Sequence, residues 1–581
     1  MHFLTLLGDP ITTLIPGLFT SRPVADDSGS EACFKIAQYW LKTCLETHNG
    51  LCQVKEKMPL PTRVLDVGLL DSHLVNLYIS NGEYGQWLTL SHCWGESHPA
   101  TTTTSNLDSH CNRISISTLP RTFQDAIIIT RKLGYRYLWI DSLCIVQDSM
   151  LDWQQESVKM NTIYANAVLN ISADAAADSS EGIFASSNLK QDRKMSMIPP
   201  PRPDYTHIPV HSPKTGLKST LHASFWHYDG FSDDDPLKRR GWVLAETVLS
   251  HRRLRYTPSG LAWSCARVPS YCEESRPHEI HDITEQDQYI TSVYQIPHER
   301  LPPRHVFERG NDARRWQIVQ WWYRRINDYI NRQLTFPHDK FPAFSGIAKT
   351  YSERTQYSYK AGLLIEDFRR GLLWQTCGRP VDLAVAPSWS WAVVGYREVP
   401  HDIYELFYAH ETYVDDPDEV ELIDICVRNM GDNAFGQVVS GSLTLRGLGH
   451  GLKELLKTIE FYFLWSFHEF GFSSYFRDRD YQLLDRDASP PRDALRLHLD
   501  VMNDSCSAFS QREDVHLLRI GVFSSHASLG LEDHLHEEAT SYLILQKIPG
   551  LEAAYRRIGV ARILGNGVES PDWKMKTVTI L

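Results

Sequence analysis

LGYRYLWIDSLCIVQDSMLDWQQESVKMNTIYANAVLNISA, from Leu133 to Ala173, decides the fold. Tyr137 to Asp141 (YLWID) is a short apolar run of strand length. Asp152 is placed to cap a helix running to about Ala165. Val168 to Ala173 (VLNISA) reads as another strand. Upstream, Trp87 to Ser91 (WLTLS) is a third strand. Pro120 opens a helix over Arg121 to Leu133, with Phe123, Ala126, Ile127 and Ile129 apolar and Gly134 placed to stop it. Strands that alternate with helices imply parallel pairing through right-handed crossovers. The expectation is a compact, doubly wound α/β unit with a parallel sheet.

The frame around this unit is ordinary. The chain has 581 residues, enough for two to four domains, with 42% hydrophobic and 22% charged residues. Its net charge of -12 argues against a protein that coats nucleic acid, which needs a basic surface. Eleven Cys in this length is far below a secreted disulfide scaffold and suggests free thiols in a reducing compartment. The N-terminal stretch lacks a basic n-region and is interrupted by Asp9, Pro10 and Pro16, so no signal peptide is expected. No apolar run is long enough to span a membrane. The expected location is cytoplasmic.

In open parallel sheets, ligands bind beyond the carboxyl ends of the strands. Two stretches sit there: Ser91, His92, Cys93, Trp94 and Gly95 at the end of WLTLS, and Asp141, Ser142 and Cys144 at the end of YLWID. They form a candidate substrate-binding rim, where Gly95 lets backbone approach a ligand closely. On the following helix, Trp153, Met160, Ile163 and Tyr164 share a face with Glu156. A carboxylate on an apolar face is costly unless it is paired or used. Glu156 is therefore either the catalytic carboxylate or a hydrogen-bonded lock on the helix. His92, Cys93 and Cys144, with Asp141 orienting the His, also allow a cysteine nucleophile. The bland alternative is that both Cys are small buried residues.

Cys44, His48 and Cys52 form C-x3-H-x3-C, with Cys33 upstream. A structural zinc site needs about four ligands and no fourth is evident. The segment reads as an ordinary helix with His48 exposed, and no metal is expected. The Arg run at His251 to Arg255 reads as a solvated strand edge, with anion binding as its rival. Arg446 to Gly451 (RGLGHG) fits neither nucleotide-loop pattern and reads as a turn.

LSHCWG (Leu90 to Gly95), LPRTFQDAI (Leu119 to Ile127), the Leu133 to Asp148 segment and DWQQESVKMNTIYANA (Asp152 to Ala167) together resemble the heterokaryon-incompatibility (HET) domain of fungi. So does RGWVLAETVLSHRRL (Arg240 to Leu254), although Ala245 stands where the family has Gln. Further similarity to the family's usual extension runs through LTFPHDKFPAFSGIA (Leu334 to Ala348) and APSWSWAVVG (Ala386 to Gly395). The resemblance implies a cytoplasmic effector of nonself recognition and programmed cell death, with a TIR- or flavodoxin-like α/β fold followed by a mixed α+β extension. HET domains are distantly similar to TIR domains. Some TIR domains cleave NAD at the nicotinamide–ribose bond, using a Glu that follows a Trp on a helix. Trp153-Gln154-Gln155-Glu156 has that spacing, which makes Glu156 the implied catalytic residue, Trp153 a stacking residue and NAD a candidate substrate rather than a cofactor. The alternatives are a non-enzymatic scaffold that self-associates through the HET domain, or an accessory protein of another fungal process such as secondary metabolism. An incompatibility partner is implied but not identified; nucleic acid is not an expected partner.

The expected domains are a lead-in at 1–86, the HET domain at 87–265 with an irregular insertion at 178–235, an extension with an aromatic helix at 266–395, and a variable α+β region at 396–581.

Overall fold

The computed structural model describes residues 2–5, 19–20, 27–48, 52, 58–68, 72–96, 100–184, 206–211, 218–224, 235–258, 260–266, 271–272, 312–376, 381–396, 411–414, 420–456, 461–467, 472–477, 482–483, 495–500, 512–526, 536–564 and 572–581. Most of the expected 178–235 insertion, including PPPRP at 199–203, lies outside these residues. So do most of residues 270–312. The chain divides into two units, Met1–Leu301 and Pro302–Leu581.

The first unit is built on a nine-stranded sheet. The elements that matter are α1 (Glu31–Thr47), β1 (Arg63–Asp66), β2 (Leu74–Ile79), β3 (Trp87–Ser91), α2 (Arg121–Lys132), β4 (Tyr137–Trp139), α3 (Met150–Asn166), β5 (Leu169–Ser172), α4 (Gly241–Leu249), β6 (Arg252–Thr257) and β7 (Gly260–Cys265). In space the order is β7-β6-β5-β3-β4-β1-β2, with the short strands Tyr271–Cys272 and Ile114–Ser115 at the two edges.

The three strands expected from the opening stretch are present, and β3 pairs in parallel with both β4 and β5. β5 also pairs in parallel with β6. The sheet as a whole is mixed, however, where a parallel one was expected. β1 runs antiparallel to β4 and to β2, and β7 runs antiparallel to β6. The physical reason is connection length: β6 and β7 are joined by a tight turn, which permits only antiparallel pairing, whereas the helical crossovers permit parallel pairing.

Both faces of the sheet are covered. Leu65, Leu88, Leu90, Leu138 and Ile171 point to one core, shared with Phe34, Trp40 and Leu41 of α1 and Phe123, Ala126 and Ile127 of α2. Val64, Trp87 and Trp139 point the other way, against Met160, Ile163 and Tyr164 of α3. This is the period-2 alternation of strands buried on both sides. α2 follows Pro120 as expected, and Gly134 lies at φ +84° just past its end. α3 is capped by Ser149, whose side chain accepts from the Asp152 N–H. The expected cap, Asp152, instead binds Arg63 at 2.5 Å. It lies within the first turn, where its charge suits the helix N-terminus.

The Arg run is corrected more sharply. Arg252, Arg253 and Arg255 are buried, because β6 is an interior strand between β5 and β7. Arg255 reaches Asp174 at 2.5 Å and Asp235 at 3.4 Å. Those partners lie far away in sequence, so the run alone could not reveal them. Among the described residues no helix is long and apolar enough to cross a membrane.

In the second unit, α5 (Asp312–Ile330) and α6 (Lys340–Thr355) pack through aromatic rings. Trp321 stacks on Tyr351 with centroids 5.9 Å apart, and Trp322 meets Phe344 edge-on at 5.4 Å. Trp389 and Trp391 of PSWSW are core residues, and the Trp391 indole donates to the Gly362 carbonyl at 2.9 Å. A large sheet follows. Its long strands are β8 (Val438–Gly451), β9 (Val515–His526), β10 (His536–Lys547), β11 (Ala554–Leu564) and β12 (Lys574–Ile580). RGLGHG lies inside β8 rather than forming a turn, and pairs with both β9 and β12.

Candidate functional site

The carboxyl ends of β3, β4 and β5 carry a cluster of buried polar side chains. The parallel register sets Ser91 beside Ser172 and Thr89 beside Asn170. Asn170 Nδ2 donates to Ser91 Oγ at 3.0 Å, and Ser91 Oγ donates to the Glu246 carboxylate of α4. The Tyr164 hydroxyl, from α3, donates to the Leu90 carbonyl at 3.2 Å and also contacts Glu246. Burial raises the Glu246 carboxyl to about 7, and the nearby Asp141 charge adds to this against the opposing pull of Ser91, Arg240 and Tyr164.

His92 is the next residue along β3. It lies 3.8 Å from Asp141, and its ring packs edge-on against Phe123. Its Nε2 is buried with no hydrogen-bond partner. Burial lowers the imidazole to about 4, outweighing the favourable Asp141 charge, so the ring is neutral at physiological pH. Trp94 Nε1 donates to Asp141 Oδ2 at 3.0 Å, while the Arg240 guanidinium lies over the Trp94 ring and donates to the His92 carbonyl. Gly95 adopts φ +73°, and a Cβ there would fall 1.9 Å from Asp178 Oδ2. Only glycine can occupy that turn.

The remaining rim residues are packed rather than poised. Burial pushes the Cys93 and Cys144 thiols up to about 12 each, which favours the neutral thiol. That counts against the cysteine-nucleophile alternative. Cys93 packs with Leu237 and Val243. The Cys144 carbonyl accepts from Arg63 Nε at 2.7 Å. Ser142 is fully buried, and its Oγ has no partner.

Glu156 and Trp153 belong to a different neighbourhood. Trp153 packs edge-on against Trp242 at 6.4 Å. Glu156 is 1% exposed. Its Oε1 accepts from Thr62 Oγ1 at 2.8 Å and from Lys159 Nζ at 2.9 Å, whereas Oε2 is buried without a partner. Thr62 and Lys159 both line a cleft of about 330 Å³, with Pro59, Asn81, Gly82 and Trp87 among its other walls. The Glu156 carboxylate thus stands directly behind two residues of the cleft wall.

Of the residues the sequence reading grouped, the structure places His92 and Trp94 beside Asp141. It missed Glu246, Tyr164, Asn170 and Arg240. The signal for Glu246 was present in RGWVLAE, a carboxylate within an otherwise apolar helix, but nothing in the spacing tied it to Ser91.

The two titrations at the rim oppose each other. Glu246 has a folded value above its ordinary 4.5, so it contributes stability at low pH that is lost as pH rises towards 7. His92 has a folded value below its ordinary 6.5, so it contributes stability above that pH which is lost as pH falls towards 4. Between these limits the wild-type contributions offset. Glu246→Gln is expected to leave a protein that loses stability on acidification, and His92→Asn one that loses it on going from pH 4.5 to pH 7. Each slope should amount to about 3 kcal/mol across its window. Urea midpoints measured across this range check it; parallel curves for the three proteins would refute it.

No curated protein and no solved structure matches the chain. A family model does, over residues 87–246, and its span contains every rim residue named above. That model describes the heterokaryon incompatibility protein (HET), and this part of the chain is a HET domain.

Proposed function

We propose that the chain is a fungal incompatibility effector whose HET domain hydrolyses the nicotinamide–ribose bond of NAD, triggering cell death on nonself recognition. The observation that carries the reading is the state of Glu156. One oxygen is held by Thr62 and Lys159 at the cleft wall, and the other is buried and unpartnered. A buried carboxylate oxygen without a partner is costly to maintain, and a role in the chemistry of the neighbouring cleft would account for it.

The bond breaks through an oxocarbenium-like state, as in glycoside hydrolysis. Nicotinamide leaves as a neutral molecule, so no acid is required at the leaving group. Glu156 Oε2 stabilises the developing ribosyl cation, and water adds to the anomeric carbon. The products are ADP-ribose, nicotinamide and a proton, which Glu156 or solvent accepts. Lys159 and Thr62 fix the carboxylate, and Trp153, on the same helix, offers a ring for stacking on a base.

A specific observation favours a second location for the same chemistry. Glu246, pushed up to about 7 at the strand-end rim and bonded there by Ser91, has the proton affinity of a general acid or base. The two locations separate by mutation. Incubating the purified chain with NAD should release nicotinamide, and Glu156→Gln should reduce the rate by at least about 100-fold while Glu246→Gln leaves most of it. The reverse pattern moves the chemistry to the rim. No release by the wild type, with toxicity surviving Glu156→Gln in a fungal host, would replace the enzyme by the self-associating scaffold.

A further inference from the structure

Cys44, His48, Cys52 and Cys265 are all buried, and one ligand atom from each lies within 4.8 Å of the others. His48 was expected to be exposed; it is 5% exposed. It follows the last turn of α1, where its N–H bonds the Cys44 carbonyl, and the Cys52 N–H bonds the His48 carbonyl in turn. These contacts keep the three residues four apart along one side of the chain. Cys265 ends β7 and supplies the fourth corner. Its Sγ is 3.3 Å from His48 Nδ1, and the Cys44 thiol is in hydrogen-bond contact with those of Cys52 and Cys265. His48 Nε2 is buried with no partner, and the cysteines are not joined by disulfides.

We propose that these four residues bind a structural zinc ion as a Cys3His site. The donor set is one that zinc uses in structural sites, and bond lengths of about 2.0–2.3 Å place tetrahedral ligand atoms about 3.3–3.8 Å apart, compatible with the spacing here. Complete burial and four protein ligands leave no open position, so the ion is structural rather than catalytic.

Arg252 supports the site independently. It pairs in register with Cys265, is 0% exposed, and its charge acts on Cys44. It makes one hydrogen bond, Nη1 to the Val168 carbonyl at 3.2 Å, while Nε and Nη2 have no partner. A buried, unpaired guanidinium is strongly unfavourable. Zinc binding releases three thiol protons and leaves Zn2+ with three thiolates and a neutral imidazole, a net charge of -1. That charge is the counterion Arg252 lacks among the described residues.

Such a site staples α1, which precedes the matched HET segment, to β7, which follows it. The full chain, purified without chelator, should contain one zinc per chain by elemental analysis. Exchange with Co2+ should give the intense thiolate-to-cobalt absorption of a tetrahedral sulfur-rich site. Cys265→Ser should lose the metal, Cys33→Ser should keep it, and Arg252→Ala should weaken it by about tenfold while leaving every ligand in place. If Cys265→Ser does not fold, the wild-type cobalt spectrum decides. Soluble wild-type protein that holds no zinc and gives no such band overturns the proposal. So does bound iron with sulfide, or a disulfide among Cys44, Cys52 and Cys265.

Discussion

Arg255→Ala is expected to cost the first unit about 3–5 kcal/mol of stability. Arg255 is 1% exposed and stands between two buried carboxylates, Asp174 at 2.5 Å and Asp235 at 3.4 Å. Without it the two acids face each other with, among the described residues, Arg253 at 3.9 Å from Asp174 and Lys238 at 3.9 Å from Asp235 to oppose them. Burial and the neighbouring Asp174 already push the Asp235 carboxyl upward with Arg255 present. The penalty is thus mainly that of uncompensated charge rather than of a lost contact. Pairing Arg255→Ala with Asp174→Ala should therefore cost less than the sum of the single changes. Urea denaturation of the three variants measures this. A single-variant loss below about 1 kcal/mol would mean that water or rearrangement neutralises the pair, as at an exposed bridge.

The second unit has its own buried cation. Arg557 is 3% exposed, lies over the Trp374 ring at 3.4 Å, and donates to the Leu372 carbonyl at 3.2 Å. It donates further to the Trp374 carbonyl and to the Asp500 carboxylate. A planar fork is needed to serve these acceptors while stacking on the ring; an ammonium cannot do so. Arg557→Lys is therefore expected to destabilise the unit by about 3 kcal/mol despite keeping the charge. Hydrogen exchange should show faster opening of β11 and of the strand Leu495–Leu499, with β3 to β6 of the first unit unaffected. Unchanged protection of β11 would show that lysine can fill the role.

Local signals in the sequence carried as far as the centre of the first unit. Pro120 and Gly134 bounded α2 within a residue or two, and the apolar runs of β3, β4 and β5 were legible because a strand buried on both faces has no polar alternation to confuse it. What failed was long-range. Arg252, Arg253 and Arg255 look like a surface run until Asp174 and Asp235 are known to approach them. C-x3-H-x3-C looked one ligand short because Cys265 arrives from the far end of the unit. Asp152 resembled a helix cap, and Ser149 took that role because Arg63 claims Asp152. At the candidate site, residues adjacent in sequence were found together, whereas Glu246 and Arg240 needed the fold. Glu156 was legible as a buried carboxylate, but not its separation from the rim.

The parallel pairing of β5 with β6 sets a timetable for biosynthesis. About 80 residues separate Ser172 from Arg252, and at roughly 5–20 residues per second the ribosome needs about 4–16 s to make them. Throughout that interval a nascent chain that has already joined β3 to β5 presents β5 as a bare hydrogen-bonding edge, open to other nascent chains or to a chaperone. The matched segment stops at residue 246, before β6 begins. A fragment cut to those limits would keep that edge open permanently, and would also lack β1, which covers β4 on the other side. The shortest piece able to cover both of those edges therefore extends beyond the family boundaries in both directions.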